Sequence, residues 1–254
     1  MTRNKVIEVE NLGASFGDTR VLNDVSFSAY QGEVTIILGS SGCGKSTVLK
    51  HLLGLYPIMQ GTVKILGQNV AELTEKEQLE LYLKMGVFYQ NGALLNSMTV
   101  GENVALPLVQ HTHLPDHLIN DIVYMKLGLV NLENAFYKYP SELSGGMLKR
   151  AALARAIALD PPVLFCDEPG AGLDPISLES LDRLIINLKE LLGMSIIMVT
   201  HEVSSILRIA NRIIYLSKGH VIFEGSLKDA LASNEEEVRQ FFSVIDDADK
   251  VKQK

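Results

Sequence analysis

The residues best suited to chemistry form one short glycine-rich segment, which fits the phosphate-loop pattern G-x-x-x-x-G-K-[ST] at every required position. The segment is Gly39-Ser40-Ser41-Gly42-Cys43-Gly44-Lys45-Ser46-Thr47. Its glycines let backbone N–H groups close around phosphate oxygens. Lys45 supplies a positive charge for the outer phosphates, and the Ser46 hydroxyl can bind magnesium. The segment therefore predicts a site for a phosphate-bearing ligand.

The flanking residues predict the elements that must position this loop. Val34–Leu38 is apolar and rich in β-branched residues, which predicts a buried strand, and Val48–Leu53 has helical spacing and ends at Gly54. A strand, a glycine-rich turn and a helix are the context in which the pattern marks a site rather than a chance turn.

Two consecutive carboxylates follow another apolar run. Val163–Cys166 predicts a strand that delivers Asp167 and Glu168 to the carboxyl-terminal edge of a sheet, where α/β proteins place their sites. One carboxylate can hold magnesium while the next activates a water molecule. Two further predicted strands, Gly86–Tyr89 and Ser195–Thr200, end at Gln90 and His201 in the same way.

Leu143–Met147 is a second candidate anion site, because a serine and two glycines precede a predicted basic helix over Leu148–Leu159. Serine and glycine are also ordinary helix-start residues, so this feature alone is weak. Phe16, on a predicted loop over Gly13–Asp18, has two interpretations of equal weight. It is either a core anchor or a platform on which a base stacks.

The remaining pattern predicts an α/β chain with a helical insertion. Strands are expected at Val6–Glu10, Val25–Ser28 and Gly61–Gly67, a helix at Glu75–Leu83, helical structure from Asn91 to about Tyr139, a long helix at Ile176–Leu192, a hairpin over residues 212–225, and a terminal helix from Asn234 to Phe242 before a solvated tail, Asp246–Lys254. Thr99 and Glu102 form a capping box, and Pro115 opens a helix that ends near Gly128. The histidines at positions 111, 113 and 117 are interpreted as solvated, because Pro115 interrupts their register.

Composition limits the classes of function. The chain has 254 residues, 47% hydrophobic and 21% charged, which suits one large globular domain, and its net charge of -7 argues against a nucleic-acid partner. Cys43 and Cys166 do not suggest a disulfide framework, and no apolar stretch approaches the ~20 residues of a spanning helix. We therefore expect a cytoplasmic protein whose membrane role, if any, comes through a partner.

In their order, these motifs resemble the ATP-binding subunits of ATP-binding-cassette (ABC) transporters over essentially the whole chain. Gln90 stands at the family's Q-loop, Leu143-Ser144-Gly145-Gly146 at its signature, Asp167-Glu168 at its Walker B pair, Leu173-Asp174 at its D-loop and His201 at its switch position. Phe16 stands where the family has its adenine-stacking aromatic. Met147 departs from the usual glutamine, and Gly170-Ala171-Gly172 from the usual threonine and serine.

Residues 90–100, 102–108, 143–147 and 151–161 look most like the ATPases of lipid-handling MCE systems of the Mla type, whose signature likewise ends in methionine. The resemblance implies a phospholipid-moving complex with an integral-membrane permease, a periplasmic MCE-domain protein and a small accessory subunit. It also places the chain on the cytoplasmic face of a bacterial inner membrane. This rests on analogy, since no residue here is known to touch lipid.

The resemblance also implies a role for each motif residue, with ATP and Mg2+ as ligands and a homodimer as the active form. It implies catalytic roles for Glu168, His201, Lys45, Gln90 and Asp174, nucleotide contacts from Phe16, Gly39–Thr47 and Ser144–Gly146 (the last from a second copy), and metal ligation by Ser46, Gln90 and Asp167.

The implied fold is a P-loop α/β core with an N-terminal antiparallel β subdomain (residues 1–90 and 160–225), an inserted helical subdomain (91–159) and C-terminal helices with the tail (226–254). Among other ABC proteins, DNA-repair ATPases would carry a coiled-coil insertion and translation factors two cassettes, and neither is present. A regulatory module would be expected to lack Glu168. An importer of a small solute such as an amino acid remains the alternative within transporters.

Overall fold

The computed structural model describes residues 3–251, and side chains over residues 3–243. The chain forms two compact units, one made of the residues up to Glu75 and from Ile197 onward, the other of Lys76–Ile196. The strands are β1 (Lys5–Phe16), β2 (Thr19–Tyr30), β3 (Val34–Gly39), β4 (Gln60–Ile65), β5 (Gln68–Asn69), β6 (Met85–Phe88), β7 (Val163–Asp167), β8 (Ser195–Val199), β9 (Arg212–Ser217) and β10 (His220–Ser226). The α-helices are α1 (Lys45–Leu52), α2 (Glu75–Tyr82), α3 (Val100–His111), α4 (Asp116–Leu129), α5 (Gly145–Ala156), α6 (Pro175–Leu192), α7 (Val203–Ile209), α8 (Leu227–Leu231) and α9 (Glu236–Val251).

The first unit contains an antiparallel sheet with the strand order β2-β1-β4-β5. Val9 of β1 lies opposite Phe27 of β2 and Val63 of β4, and all three side chains are buried. Alternate residues of these strands therefore build an apolar layer. The predicted N-terminal antiparallel sheet is confirmed.

The same unit also contains the strand that leads into the glycine-rich loop. β3 runs parallel to β9, with Ile37 opposite Ile214, and β9 pairs antiparallel with β10. Every residue of Val34–Leu38 is buried, as the continuous apolar run predicts for a parallel strand. The loop after Gly39 accordingly begins at the carboxyl end of a rigid strand.

The second unit combines parallel strands with helices. β6 and β7 are parallel, with Val87 opposite Phe165, and α3 packs against α4 and α5 around buried Val104, Val123 and Leu153. The long helix α6 ends as predicted at Gly193, which takes the left-handed conformation (φ 64°).

Several predicted boundaries are wrong. Residues 13–16 belong to β1 rather than to a loop, because shifts in the pairing register let Ser15 and Phe16 continue the ladder against Arg20 and Thr19. α5 begins at Gly145 and ends at Ala156, three residues earlier at each end than predicted. Residues 91–99 form turns rather than helix, and α7, α8 and β5 were not expected.

The terminal helix α9 begins two residues after Asn234 and continues past Phe242 to Val251. The rest of the predicted tail, residues 252–254, lies outside the described residues, as do the side chains beyond residue 243. Within residues 3–251 no helix is both long and apolar enough to cross a bilayer. The predicted subdomain boundaries at residues 90, 159 and 225 stay predictions.

Candidate functional site

In the first unit, the glycine-rich loop connects β3 to α1, and two of its glycines are required by space and backbone conformation. Gly44 is the N-cap of α1 with φ 109°, and a Cβ there would lie 2.6 Å from Cδ2 of Leu22. Gly39 has φ 143°, and its Cβ would collide with the carbonyl oxygen of Leu216. Any side chain at either position would force the loop out of this shape.

Lys45, the first residue of α1, folds its side chain back over the loop. Its Nζ donates to the carbonyl oxygens of Gly39 (2.7 Å) and Ser40 (2.9 Å). The first N–H groups of a helix have no intrahelical acceptor, and the helix dipole is positive at this end. The loop thus brings an ammonium group and backbone donors together, an arrangement that attracts phosphate.

Phe16, the last residue of β1, is 46% exposed. Its ring meets that of Tyr56 edge to face, with centroids 5.3 Å apart, beside a cavity of about 420 Å³ that His51 and Gln60 also line. The core-anchor interpretation is therefore wrong, because a core anchor would be buried. An exposed aromatic ring at a cavity can stack on a flat ligand.

His201 follows β8 and is also exposed. Its Nε2 lies 3.8 Å from a carboxylate oxygen of Glu202, the residue that precedes α7. The structure places this imidazole just after a buried strand, as predicted.

In the second unit, Asp167 is the last residue of β7 and Glu168 follows it. Cys166 just before them is fully buried, and burial raises the pKa of its thiol, so this cysteine is chemically inert. Glu168 has a left-handed backbone (φ 46°), which costs a non-glycine residue on the order of 1 kcal/mol. The strand therefore ends at a left-handed turn that carries the second carboxylate.

Gln90 is exposed in the turn that follows β6, and this turn is held by two basic residues of α5. Lys149 Nζ donates to the backbone carbonyl of Gln90. The guanidinium of Arg155 donates to the carbonyls of Gly92 and Ala93, both at 2.8 Å. The sequence indicates the basic character of this helix, but no local pattern predicts that these two residues hold the turn.

Ser144 is the N-cap of α5 and accepts a hydrogen bond from the N–H of Met147 at 3.4 Å. Ser144 and Gly145 are both exposed. A Cβ at Gly145 would meet nothing within 4 Å, and one at Gly146 would only touch Ser177 Oγ at 4.0 Å. The packing of this chain therefore does not explain why both residues are glycine.

Asp174 caps α6. Its carboxylate accepts hydrogen bonds from the backbone N–H groups of Ile176 and Ser177, both at 3.1 Å. Hydrogen bonds from Ser177, and to a lesser degree from Ile176, hold the pKa of Asp174 below its usual value. Asp174 therefore stabilises the start of α6.

The predicted site residues divide between the two units. The first unit holds Phe16, Gly39–Thr47 and His201, and the second holds Gln90, Ser144–Gly146, Asp167, Glu168 and Asp174. Among the described residues, no group of three or more His, Cys, Asp or Glu side chains could hold a metal ion, so His111, His113 and His117 form no such site. All three side chains are exposed, as interpreted from the sequence.

The ABC transporter family model matches residues 22–171. The intermembrane phospholipid transport system ATP-binding protein MlaF of Haemophilus influenzae is 42% identical over 93% of this chain and 89% of its own length. The chain belongs to the ABC transporter family. It is an ATPase subunit of that family, as the motifs predict.

Two further members of the ABC family agree with this assignment. The probable ribonucleotide transport ATP-binding protein mkl of Mycobacterium leprae is 41% identical over 96% of this chain and 70% of its own length. A solved dimer of the ATP-binding cassette MJ0796, in a post-hydrolysis state bound to ADP and Pi, is 30% identical with a TM-score of 0.78, over 87% of this chain and 98% of that one. The predicted P-loop α/β fold is confirmed.

Proposed function

We propose that this ABC ATPase powers phospholipid transport through a membrane permease, on the cytoplasmic face of a bacterial inner membrane. The observation that carries the proposal is the 42% identity to an intermembrane phospholipid transport ATPase over 93% of the chain. The identity extends through both units and is not confined to the nucleotide-binding motifs. It therefore favours a shared class of cargo.

Each motif residue then has a task in ATP hydrolysis. Phe16 stacks on adenine, and the backbone N–H groups of the loop with Lys45 hold the phosphates. Glu168 orients or deprotonates the attacking water, and His201 contacts the γ-phosphate. Catalysis of this kind is mostly positioning and charge stabilisation, which rigid strand ends can supply.

The donor set fits a magnesium ion. Ser46, Gln90 and Asp167 offer a hydroxyl, an amide carbonyl and a carboxylate, and Mg2+ prefers oxygen ligands of this kind together with substrate phosphates. When bound, the ion would neutralise charge on the transferred phosphoryl group. The phosphates themselves are held by Lys45 and the backbone N–H groups of the loop.

The pocket is completed by a second copy of the chain. Glycine in a helix costs about 1 kcal/mol relative to alanine, and neither packing nor a positive φ in this chain explains Gly145 or Gly146. An exposed serine followed by two unhindered glycines suits the close approach of another molecule. We assign that approach to the ATP held by the phosphate loop of the partner.

ATP would then stabilise the dimer by contacting both subunits. A ligand shifts an equilibrium toward the state in which it makes more contacts, and bound ATP touches both surfaces only in the closed dimer. Hydrolysis and departure of the cleaved phosphate remove the γ-phosphate contacts and release the subunits. The solved dimer of the relative MJ0796, which holds ADP and Pi, supports a dimer with bound nucleotide.

The permease is expected to dock on the second unit, where an open cavity of about 550 Å³ is lined by residues of β6, α3 and α5. Tyr89 lies at its edge with 39% exposure, and nearby Leu95 is 44% exposed. Leu94 and Met98, in the same segment, are half-buried and are proposed to contact the permease as well. Exposed apolar residues at a groove suit an amphipathic helix from a partner. A periplasmic MCE-domain protein and a small accessory subunit would join through the permease.

A different cargo class is suggested by the 41% identity to the mkl protein, which is named for ribonucleotide transport. An importer of a small solute is the alternative that the sequence left open. These possibilities differ in what the assembled transporter moves, and the ATP site is the same in each.

The test is transport by the complex purified through a tag on this chain and reconstituted in vesicles of phosphatidylethanolamine and phosphatidylglycerol. We expect ATP to drive movement of labelled phospholipid, and Glu168→Gln to stop it. ATP hydrolysis stimulated by ribonucleotide or amino acid, with no movement of lipid, would overturn the lipid assignment and leave the ATPase assignment intact.

A further inference from the structure

Two basic side chains of α5, Lys149 and Arg155, connect this helix to the turn at residues 90–93. Neither has an acidic partner among the described residues. Lys149 is 9% exposed, and in the described part of the chain neither Lys149 nor Arg155 forms an ion pair. Burial lowers the pKa of both groups. Keeping a cation out of water without a carboxylate is costly unless other dipoles compensate.

The compensating dipoles are the backbone carbonyls of the turn. Lys149 donates to Gln90 O and its Nζ lies 5.7 Å from the centre of the Phe88 ring, an additional favourable contact for a cation. Arg155, six residues further along α5, spans the carbonyls of Gly92 and Ala93. Three of the four consecutive carbonyls after Tyr89 are therefore held by one helix.

The shape of the turn also needs this support. Gly92 and Ala93 both have left-handed backbones (φ 72° and 50°), which is unfavourable for alanine. A Cβ at Gly92 would lie 3.2 Å from Cβ of Ala152, so the turn packs closely on α5 between the two basic residues. A turn held in this way cannot move independently of α5.

We propose that Lys149 and Arg155 are positioning residues that fix the turn at residues 90–93, and with it the side chain of Gln90, to the helix that Ser144 begins. This inference rests on the proposed function, in which Gln90 serves the site on its own chain and Ser144 the site on the partner. The two basic residues then link one nucleotide site of the dimer to the other. Their effect on hydrolysis passes through Gln90.

A double-mutant cycle tests this link. Lys149→Met should lower kcat about 10–100-fold, the usual loss when support for a metal-site residue is removed, with a smaller change in KM for ATP. In a Gln90→Ala background the same substitution should change kcat by less than about 3-fold, because its target is already gone. Lys149→Arg, which keeps a charged donor, should restore most of the rate.

Arg183→Met is the matched control, since Arg183 is an exposed basic residue on α6 that pairs with Glu179. It should leave kcat unchanged in both backgrounds. A second readout needs no nucleotide: amide hydrogen exchange over residues 90–95 of the free protein should become at least about 10-fold faster in Lys149→Met and stay unchanged in Arg183→Met. If urea titration shows that Lys149→Met does not fold, Arg155→Met takes its place with the same expectations.

Equal losses from Lys149→Met in both backgrounds, or unchanged exchange over residues 90–95, would overturn the proposal. If Gln90→Ala alone leaves kcat unchanged, the metal assignment of Gln90 is wrong and the inference fails with it. If Gln90→Ala lowers kcat and Lys149→Met does not, only the positioning role is wrong.

Discussion

At the scale of single residues, Glu168 has the placement expected of a group that acts on water. It follows β7, in which the four residues before Asp167 are buried. Its left-handed backbone conformation is unfavourable for a residue other than glycine, and such strain is typical of residues with a functional role. Glu168→Gln should lower the rate of ATP hydrolysis roughly 10²–10⁴-fold, typical of losing a positioned base. Phosphate-release assays measure the rate, and fluorescent-nucleotide titration should show ATP binding retained.

Near-normal turnover in Glu168→Gln would remove this residue from the catalytic role. Asp174→Asn offers a comparison with Glu168→Gln. Because Asp174 caps α6, its substitution should first lower the free energy of unfolding.

Gly145 allows a prediction in which stability and activity change in opposite directions. Gly145→Ala should raise the free energy of unfolding by about 0.4–1 kcal/mol, because alanine is favoured in a helix and its Cβ would meet no neighbour. It should also lower hydrolysis on the order of 10²-fold, because the added methyl group displaces the partner's phosphates. Urea titration and ATPase assays measure the two effects.

Gly128→Ala on α4 is the control for Gly145→Ala. Gly128 is also helical, and a Cβ there would lie 3.7 Å from its nearest neighbour, Glu133 Oε1, so Gly128→Ala should be more stable without loss of activity. If Gly145→Ala hydrolyses ATP like the wild type, no molecule approaches that position during turnover.

At the scale of elements, the segment between β6 and α3 is held at both ends by side chains bonded to its backbone. Toward α3, buried Asn103 accepts from the N–H of Leu95 at 2.7 Å and donates to the carbonyls of Leu95, Met98 and Thr99 at 2.9–3.1 Å. This gives the surface proposed for the permease a defined shape although it contains no regular structure.

Asn103→Ala should therefore reduce the free energy of unfolding by about 1–3 kcal/mol, because buried backbone groups lose their partner. Urea titration measures the change, with Asn120→Ala as the control, since Asn120 is exposed on α4. A loss no larger than that of the control would show that the network does not hold the segment.

Elements whose ends are set by nearby residues could be predicted from the sequence. β3, β7 and α6 are continuous or amphipathic runs ended by Gly39, Asp167 and Gly193, and these signals act within a few residues. The extension of β1 to Phe16 could not be foreseen, because it depends on register shifts against β2. The link between Lys149 and Gln90 joins residues 59 apart in sequence, and only the fold brings them together.

At the scale of the whole molecule, the account depends on two copies sharing each ATP. The order of the motifs was sufficient to predict the family, because each motif is recognisable by its own spacing and residue types. It could not determine the cargo, which depends on surfaces of the permease.

Assembly gives the corresponding prediction. Glu168→Gln should dimerise when ATP and Mg2+ are added, and Glu168→Gln with Ser144→Phe should remain a monomer, because a bulky ring blocks the exposed start of α5. Sedimentation velocity measures both. Ser97→Phe, at another exposed serine, is the control and should dimerise. ATP-dependent dimers of the Ser144→Phe variant would contradict the role of that surface.

The most direct measurement is a high-resolution structure of Glu168→Gln with ATP and Mg2+ trapped. The account predicts that the Ser144 hydroxyl of one copy lies within hydrogen-bond distance of the γ-phosphate held by Lys45 of the other, with Gly145 beside the same phosphate. A structure in which ATP is fully enclosed by one chain, with Ser144 facing solvent, would contradict it.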